Sequence, residues 1–164
     1  MAVGTLLSNA FGIEPQQREG LYSTPMREAT EGATQTFKKG ALLINSGGHL
    51  IVAAADAVAG IVGVAAEAGH NAAAGVKTVK YYPAHPHVVF EATFEDQLNE
   101  NHILVAANRW GAFAIQVDTP GNFYIDENDT TNQAARIVAF KDALGTTRAR
   151  VLFQFLIDTT IYGT

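Results

Sequence analysis

The sequence predicts a mainly β protein, an antiparallel β-barrel or sandwich, and three observations favour this fold class. Short apolar runs recur along most of the chain, roughly ten residues apart. Glycine and other turn residues separate these runs. The clearest run, residues 88–95, alternates apolar and polar side chains as a half-buried strand does. Strands of this length and spacing are typical of a sandwich or a barrel.

The chain divides into two parts after residue 36. Residues 1–36 are polar, contain scattered glycine and proline and show no strand or helix period, so we predict an extended N-terminal arm. The apolar residues of the arm form small clusters that suit pockets on a partner: Leu6, Leu7, Phe11, Ile13, Leu21, Tyr22 and Met26. An arm folded onto its own domain is the alternative. Residues 37–164 are predicted to form the β-domain.

The first element of the domain is a predicted hairpin. Apolar runs on both sides of Asn45-Ser46-Gly47-Gly48 have the pattern of two strands joined by a glycine turn. A short strand is predicted next at 60–65, followed by a loop at 69–75. The alanine-rich stretch 51–75 could suit a helix, but glycines within it disfavour one. Its charged residues also make it too short to span a membrane.

The run at 88–95 predicts which side chains are buried. Val88, Phe90, Ala92 and Phe94 share one face, which we expect to lie inside. Glu91, Thr93 and Glu95 share the other face, which we expect to be solvated. Further strands are predicted at 103–107, 113–117, 122–126, 135–140 and 150–157. Short helical turns could form at 96–100 and 132–136.

Composition excludes several classes of function. The 164 residues indicate one domain, and the absence of cysteine excludes thiol catalysis, cysteine-ligated zinc and a disulfide scaffold. The net charge is −5 and the lysines and arginines are scattered, so a nucleic-acid partner is not expected. The N-terminus lacks the pattern of a secretory signal, and no membrane association is expected.

Patterns for catalysis and metal binding are incomplete. His85 and His87 can point to one side of an extended segment, but two ligands do not make a metal site, and a proline-stiffened connection is the alternative. The acidic loop 126–131 begins like a calcium loop, yet it lacks the glycine and the glutamate that such a loop needs, which favours a capped turn. No serine lies in a nucleophile elbow. We therefore expect no enzyme activity, no catalytic residue, no metal site and no cofactor.

Trp110 is the best single candidate for a contact residue within the domain. It follows Arg109 and precedes Phe113, Phe123 and Tyr124. Buried Phe is common in β-domains, whereas Trp and Tyr more often lie at edges and interfaces. The sequence leaves open whether Trp110 belongs to the core or to a contact surface.

Across residues 37–157 the chain resembles head decoration proteins of tailed bacteriophages, also called capsid cement proteins. The resemblance lies in the pattern of glycine and apolar residues. Its parts are Phe37-x-x-Gly40, the glycine turn at 47–48, Gly60-Ile61-Val62-Gly63-Val64-Ala65, Val89-Phe90-Glu91-Ala92, Asn122-Phe123-Tyr124-Ile125-Asp126, Arg136-Ile137-Val138 and Arg150-Val151-Leu152-Phe153.

The resemblance implies a structural virion protein without catalytic activity. Such a protein binds the major capsid protein on the outer surface of the head and stabilises the particle, and it associates with itself, as a homotrimer or otherwise as a homodimer. The alternative is a soluble β-sandwich binding module, for example a carbohydrate-binding one that uses Trp110 and Tyr124. The long arm with its apolar clusters favours the virion protein, since a sugar-binding module does not need it.

Overall fold

A computed structural model of the protein describes residues 13–15, 26–96 and 103–161, and the fold is mainly β, as the sequence predicts. Two 3₁₀ turns, Ala106–Asn108 and Ile157–Thr159, accompany the strands. The strands are β1 (Glu14–Pro15), β2 (Arg27–Thr30), β3 (Leu42–Ser46), β4 (His49–Val52), β5 (Ile61–Ala65), β6 (Thr78–Pro83), β7 (Phe90–Glu95), β8 (Ala112–Val117), β9 (Phe123–Asp126), β10 (Ala135–Phe140) and β11 (Arg150–Phe155).

Five strands close into a β-barrel. Antiparallel pairs join β7 to β11, β11 to β10, β10 to β8 and β8 to β9. The barrel closes where β9 returns to β7 as a parallel neighbour, with Phe94 opposite Ile125 and Glu95 opposite Asp126. Closure pairs strand edges that would otherwise be exposed to other chains.

Aromatic rings fill the barrel. Phe90 of β7 lies 5.1 Å from Phe155 and 5.8 Å from Phe153 of β11, measured between ring centroids. Phe94 meets Phe113 of β8 edge to face at 5.3 Å. Such tilted and edge-to-face pairs are the favoured arrangements of aromatic rings. The inward face of β7 predicted from the sequence is therefore confirmed at Phe90, Ala92 and Phe94, which are all buried.

The remaining strands form a second, antiparallel sheet in the order β2-β6-β5-β3-β4. Its two edges approach each other, because Glu31 forms a parallel bridge with Leu50 and the N–H of Gly32 donates to the Leu50 carbonyl at 2.8 Å. The barrel and this sheet share one hydrophobic core. A backbone hydrogen bond of 3.2 Å from Asp56 to Ile115 is one of the links between them.

The predicted hairpin is confirmed as β3 and β4. A two-residue loop, Gly47-Gly48, joins the strands, with φ of 58° and 86°. A turn of this kind needs positive φ at both positions, which glycine adopts without a steric penalty. The side-chain oxygen of Asn45 accepts a 3.1 Å hydrogen bond from Gly48 and fixes the turn.

The part of the arm that the structure describes packs on its own domain. Ile13 is buried in the core, and its N–H donates to Gly40 at 3.2 Å. Next to it, Glu14 and Pro15 pair with Glu91 and Phe90 of β7. Residues 27–30, also assigned to the arm from the sequence, instead form β2 and pair along β6. The folded unit therefore includes residues on the N-terminal side of the boundary expected after residue 36.

Two further predictions differ from the structure, and a third is not tested by it. Residues 103–107 are not a strand: Ile103 makes one bridge to Thr147, and a 3₁₀ turn starts at Ala106. The helical turn predicted at 132–136 is absent, because β10 starts at Ala135 and pairs with β8 and β11. Most of the turn predicted at 96–100 lies outside the described residues.

The solvated face predicted for β7 is wrong at its C-terminal end. Glu95 is 3% exposed and Thr93 is 9% exposed. The physical reason is the closure of the barrel, which places β9 beside Glu95. Arg148 covers the same position, with Nε 3.3 Å from the Glu95 carboxylate. Only Glu91 keeps a partly exposed carboxylate, and it pairs with Lys141 and Arg150.

Deletion of residues 2–36 is expected to unfold the domain, whereas deletion of residues 2–12 is expected to leave it folded. The longer deletion removes buried Ile13, strands β1 and β2, and Glu31, whose carboxylate accepts hydrogen bonds from the backbone and ring of His70 at 2.8 and 2.7 Å. Thermal unfolding followed by circular dichroism checks both truncated proteins. A cooperative transition in the longer deletion would contradict the placement of these residues in the fold.

Candidate contact surface

Trp110 is a largely exposed aromatic residue in a strained backbone conformation. Its side chain is 65% exposed and its φ is 68°, in the left-handed region. This region is costly for a residue with a large side chain, by about 1–2 kcal/mol. The Trp110 N–H donates to the carbonyl of Ile137 at 2.8 Å, and the Ile137 N–H donates to Gly111 at 3.0 Å. These two bonds to β10 hold Trp110 in its conformation.

Hydrogen bonds of the Asn108 side chain fix the turn that carries Trp110. Asn108 is buried, and its side-chain oxygen accepts a hydrogen bond from the Val105 N–H at 2.8 Å. The amide nitrogen of the same side chain donates to Glu127 at 3.1 Å. The indole therefore projects from a fixed base, which lowers the conformational entropy lost when a partner binds it.

The β10–β11 hairpin lies beside this turn. The guanidinium carbon of Arg109 is 5.0 Å from the ring centroid of Phe140, at the end of β10. In the hairpin loop, the N–H of Gly145 donates to Leu104 at 2.8 Å, and the Leu104 N–H donates to Thr146 at 3.0 Å. The segment before Trp110 and the hairpin loop are thus joined by backbone hydrogen bonds.

These neighbouring segments expose four apolar side chains, which we call the Trp110 surface: Ile103, Val105, Trp110 and Leu144, with exposed fractions of 45%, 40%, 65% and 56%. Buried Leu104 anchors the segment between the first two. Clusters of exposed apolar side chains on a rigid base are typical of protein interaction sites.

An ion pair fixes the base of the hairpin loop. The Asp142 carboxylate accepts hydrogen bonds from the Arg150 guanidinium at 2.6 and 3.1 Å and from the Arg150 N–H at 2.8 Å. The fork of bonds from the Arg150 side chain holds the pKa of Asp142 below its usual range. The pair thereby keeps Leu144 in place within the Trp110 surface.

We expect Asp142→Asn to destabilise the protein more at neutral pH than at acidic pH. A carboxylate whose pKa is lowered by folding contributes stability above its unfolded pKa of about 3.9, and this stability is lost as pH falls through the lower, folded value. Asparagine resembles the protonated acid. Urea unfolding at pH 7 and pH 2.5 measures the effect: the difference between wild type and variant should shrink at low pH. An equal difference at both values would contradict this role of the pair.

The sequence leaves open whether Trp110 is a core or a contact residue, and the structure exposes it; the other members of the Trp110 surface are not candidates from the sequence. Ile103 and Val105 were assigned to a strand, and Leu144 was not singled out. The only signal for Leu144 is an isolated large apolar residue among the polar and small residues of 141–147.

The other predicted contact residues do not join this surface. Met26 is 55% exposed but precedes β2, on the second sheet rather than on the barrel. Ile13 lies in the core, so its side chain serves the protein's own fold. The remaining candidates lie outside the described residues: Leu6, Leu7, Phe11, Leu21 and Tyr22.

Tyr124 does not form an aromatic platform with Trp110. The residue is 2% exposed, on β9 between Phe123 and Ile125, whose side chains belong to the hydrophobic core. Burial raises the pKa of its hydroxyl group, and nearby carboxylates, of which Asp126 has the largest effect, raise it further. A sugar-binding site made of these two aromatic residues is therefore not present.

The candidate metal sites also lack the necessary geometry. The rings of His85 and His87 lie 5.1 Å apart between centroids, and the His87 N–H donates to the His85 ring at 3.3 Å. Within residues 13–15, 26–96 and 103–161, no group of three or more His, Asp or Glu side chains could hold a metal ion. No helix in this part of the chain is long and apolar enough to cross a membrane.

The acidic loop 126–131 is a capped turn. Asp129 accepts hydrogen bonds from the N–H groups of Thr131 and Asn132 at 2.7 and 3.2 Å, which lower the pKa of its carboxyl group. Asp126 accepts one from Asn128 at 2.9 Å. Burial raises the pKa of Asp126. The carboxylates thus cap their own turn, as the alternative interpretation of the sequence predicts.

Neither protein-family models nor curated proteins gave a match to this chain.

Proposed function

We propose that this protein is a structural virion protein that binds the outer surface of a bacteriophage capsid and stabilises the head. The resemblance to head decoration proteins across residues 37–157 supports this proposal. A mainly β architecture with a closed barrel is compatible with it. In this role the protein carries out no reaction and acts through its contacts.

The observation that carries the proposal is the exposed, strained conformation of Trp110. The left-handed conformation at φ 68° carries a strain cost, and it leaves the indole largely exposed. A partner that buries the indole would explain why the conformation is kept. Trp is among the residue types that contribute most to binding when they lie at the centre of an interface.

The proposed partner of the Trp110 surface is the major capsid protein. An apolar cluster with Arg109 beside it has the composition of an interface centre, where aromatic residues and Arg are enriched and other charged residues are depleted. The apolar residues Leu6, Leu7 and Phe11 of the predicted arm would add a second contact. Linking two contacts in one chain raises the affinity through the effective concentration of the second.

Self-association is part of the same proposal. A homotrimer, or otherwise a homodimer, could match the local threefold or twofold positions of a capsid and engage several weak contacts at once. Mass measurement of the purified protein in solution tests this part. A strict monomer both free and on the capsid would contradict it.

Replacement of Trp110 tests the contact surface directly. We expect Trp110→Ala to weaken binding to undecorated heads by about 2 kcal/mol or more, roughly 30-fold in Kd, because a central Trp commonly contributes this much. Val76→Ala is a matched control, since Val76 is also 65% exposed but lies before β6 on the second sheet. Co-sedimentation with heads assembled without the protein gives both affinities.

Trp110→Gly separates binding from folding. Glycine relieves the strain of the left-handed conformation, so we expect this variant to be about 1 kcal/mol more stable than Trp110→Ala while binding as weakly. Equal binding by the wild type and both variants would contradict the proposed contact.

A further inference from the structure

A second candidate site is a cleft of about 680 Å³ beside strands β10 and β11 of the barrel. Arg136 of β10 and Gln154 of β11 are directly opposed across the antiparallel pair, so their side chains lie on the same face. The link at Pro86 and the turn Ile157–Thr159 also line the cleft. Val58 reaches it from the β4–β5 loop.

Four polar side chains of this cleft have no hydrogen-bond or ion-pair partner in the described part of the chain. Arg136, Gln133, Gln154 and Asp158 all line it, and none of their side chains forms a hydrogen bond or ion pair with another described residue. Arg150, by contrast, is engaged by Asp142 and Glu91. The cleft therefore gathers a cation and two amides that remain available to a ligand.

Apolar side chains complete the lining. Val58 and Ile157 are 44% and 50% exposed, and Leu156 is partly buried beside them. The combination of apolar walls with a few convergent polar groups is typical of ligand-binding clefts, and the volume is within the usual range of roughly 300–1,000 Å³. A simple inorganic anion would use Arg136 but would leave the apolar walls unfilled.

We propose that this cleft binds an extended peptide segment of a partner protein, with an acidic side chain of that segment against Arg136. The planar guanidinium can form two parallel hydrogen bonds to a carboxylate. The amides of Gln133 and Gln154 can each donate and accept, as the backbone of an extended peptide requires. Apolar side chains next to the acidic residue would cover Val58 and Ile157.

Asp158 restricts the sequence that fits. Asp158 lines the same cleft, and among the described residues it has no ion pair with Arg136. A second acidic side chain in the ligand would be repelled by it, so the site favours a segment with one acidic residue among apolar neighbours over a run of acidic residues. The proposal goes beyond capsid binding through the Trp110 surface and does not depend on it.

Two blocked tripeptides test the proposal by NMR titration of the isotopically labelled full chain: acetyl-Leu-Glu-Leu-amide and acetyl-Leu-Gln-Leu-amide. We expect the first to shift resonances of Arg136 and Gln154, and the second to bind about tenfold more weakly because it lacks the charge-assisted hydrogen bonds. Equal affinities for the two peptides, or no shifts at millimolar concentration, would overturn the proposal.

Substitutions in the cleft test whether the peptide binds there. Arg136→Gln should remove the preference for the Glu peptide, whereas Asp158→Asn should strengthen its binding because a repelling charge is lost. Lys77→Gln is the matched control, since it also removes one positive charge but lies in the loop before β6, outside the cleft lining. A loss of this preference with Lys77→Gln as large as with Arg136→Gln would show a general charge effect and refute the site.

Free glutamate tests whether the ligand is a peptide. If free glutamate binds as tightly as the Glu peptide, a peptide ligand is refuted.

Discussion

Phe90→Ala is expected to lower the free energy of unfolding by about 3–5 kcal/mol, a large part of the stability of a domain this size. Phe90 is fully buried, and its ring contacts the rings of Phe153 and Phe155 in the barrel. Removal of the ring leaves a cavity that the closed barrel can fill only in part. Equilibrium unfolding in urea, followed by circular dichroism, gives the value.

Glu91→Ala is the matched control for Phe90→Ala. Glu91 is the next residue on β7 but points to the other face, where its carboxylate pairs with Lys141 and Arg150. Such partly exposed ion pairs contribute about 1 kcal/mol or less. Similar losses at both positions would contradict the assigned faces of β7.

Gly63→Ala is expected to destabilise the domain by about 3 kcal/mol or more, because β5 has no room for a side chain at this position. A Cβ atom built on Gly63 would lie 2.2 Å from the carbonyl oxygen of Tyr82 and 2.7 Å from the ring of Tyr81, both on β6. The first neighbour is backbone, so relief requires β5 and β6 to separate, with the loss of their pairing. Thermal and urea unfolding measure the effect.

Ala73→Val adds methyl groups at an exposed position of the 66–77 loop and should cost under about 0.5 kcal/mol. If Gly63→Ala lowers stability as little as Ala73→Val does, the close approach of β5 to β6 at Gly63 is contradicted.

The sequence predicts elements well where a local signal and the tertiary environment agree. The turn between β3 and β4 needs positive φ at two positions, and both are glycine. Strand β7 alternates apolar and polar residues. Both were found at the expected positions. At Glu95 the alternation fails, since barrel closure by β9 buries the outer side chain as well, and a parallel neighbour distant in sequence leaves no local pattern.

Strands β1, β2 and β6 were not predicted as strands. The residues of β2, Arg-Glu-Ala-Thr, have no apolar face, and β2 exists because β6 provides backbone partners along its whole length. β1 contains only Glu14 and Pro15, and its position depends on burial of the neighbouring Ile13. These strands form because they pair with segments that are distant in the chain, which leaves no local sequence pattern.

The candidate contact surface could be predicted only at its most conspicuous residue. Trp110 was a candidate from its residue type alone, whereas its exposure depends on a left-handed turn held by β10. Leu144 and Val105 reach the same surface because the hairpin loop bonds to the segment before Trp110. The cleft at Arg136 combines three loops, two strands and the turn after β11, and it has no sequence motif.

The most direct test of the central claim, stabilisation of a phage head through the Trp110 surface, is the heat resistance of the particles. Tailed-phage heads of the proposed kind are prepared without the protein and then supplied with wild type, Trp110→Ala or Val76→Ala. Release of packaged DNA is followed as temperature rises. The account predicts that wild type and Val76→Ala raise the temperature at which DNA is released and that Trp110→Ala, at the same concentration, does not. Heads that are equally heat-resistant with and without the protein would contradict the account.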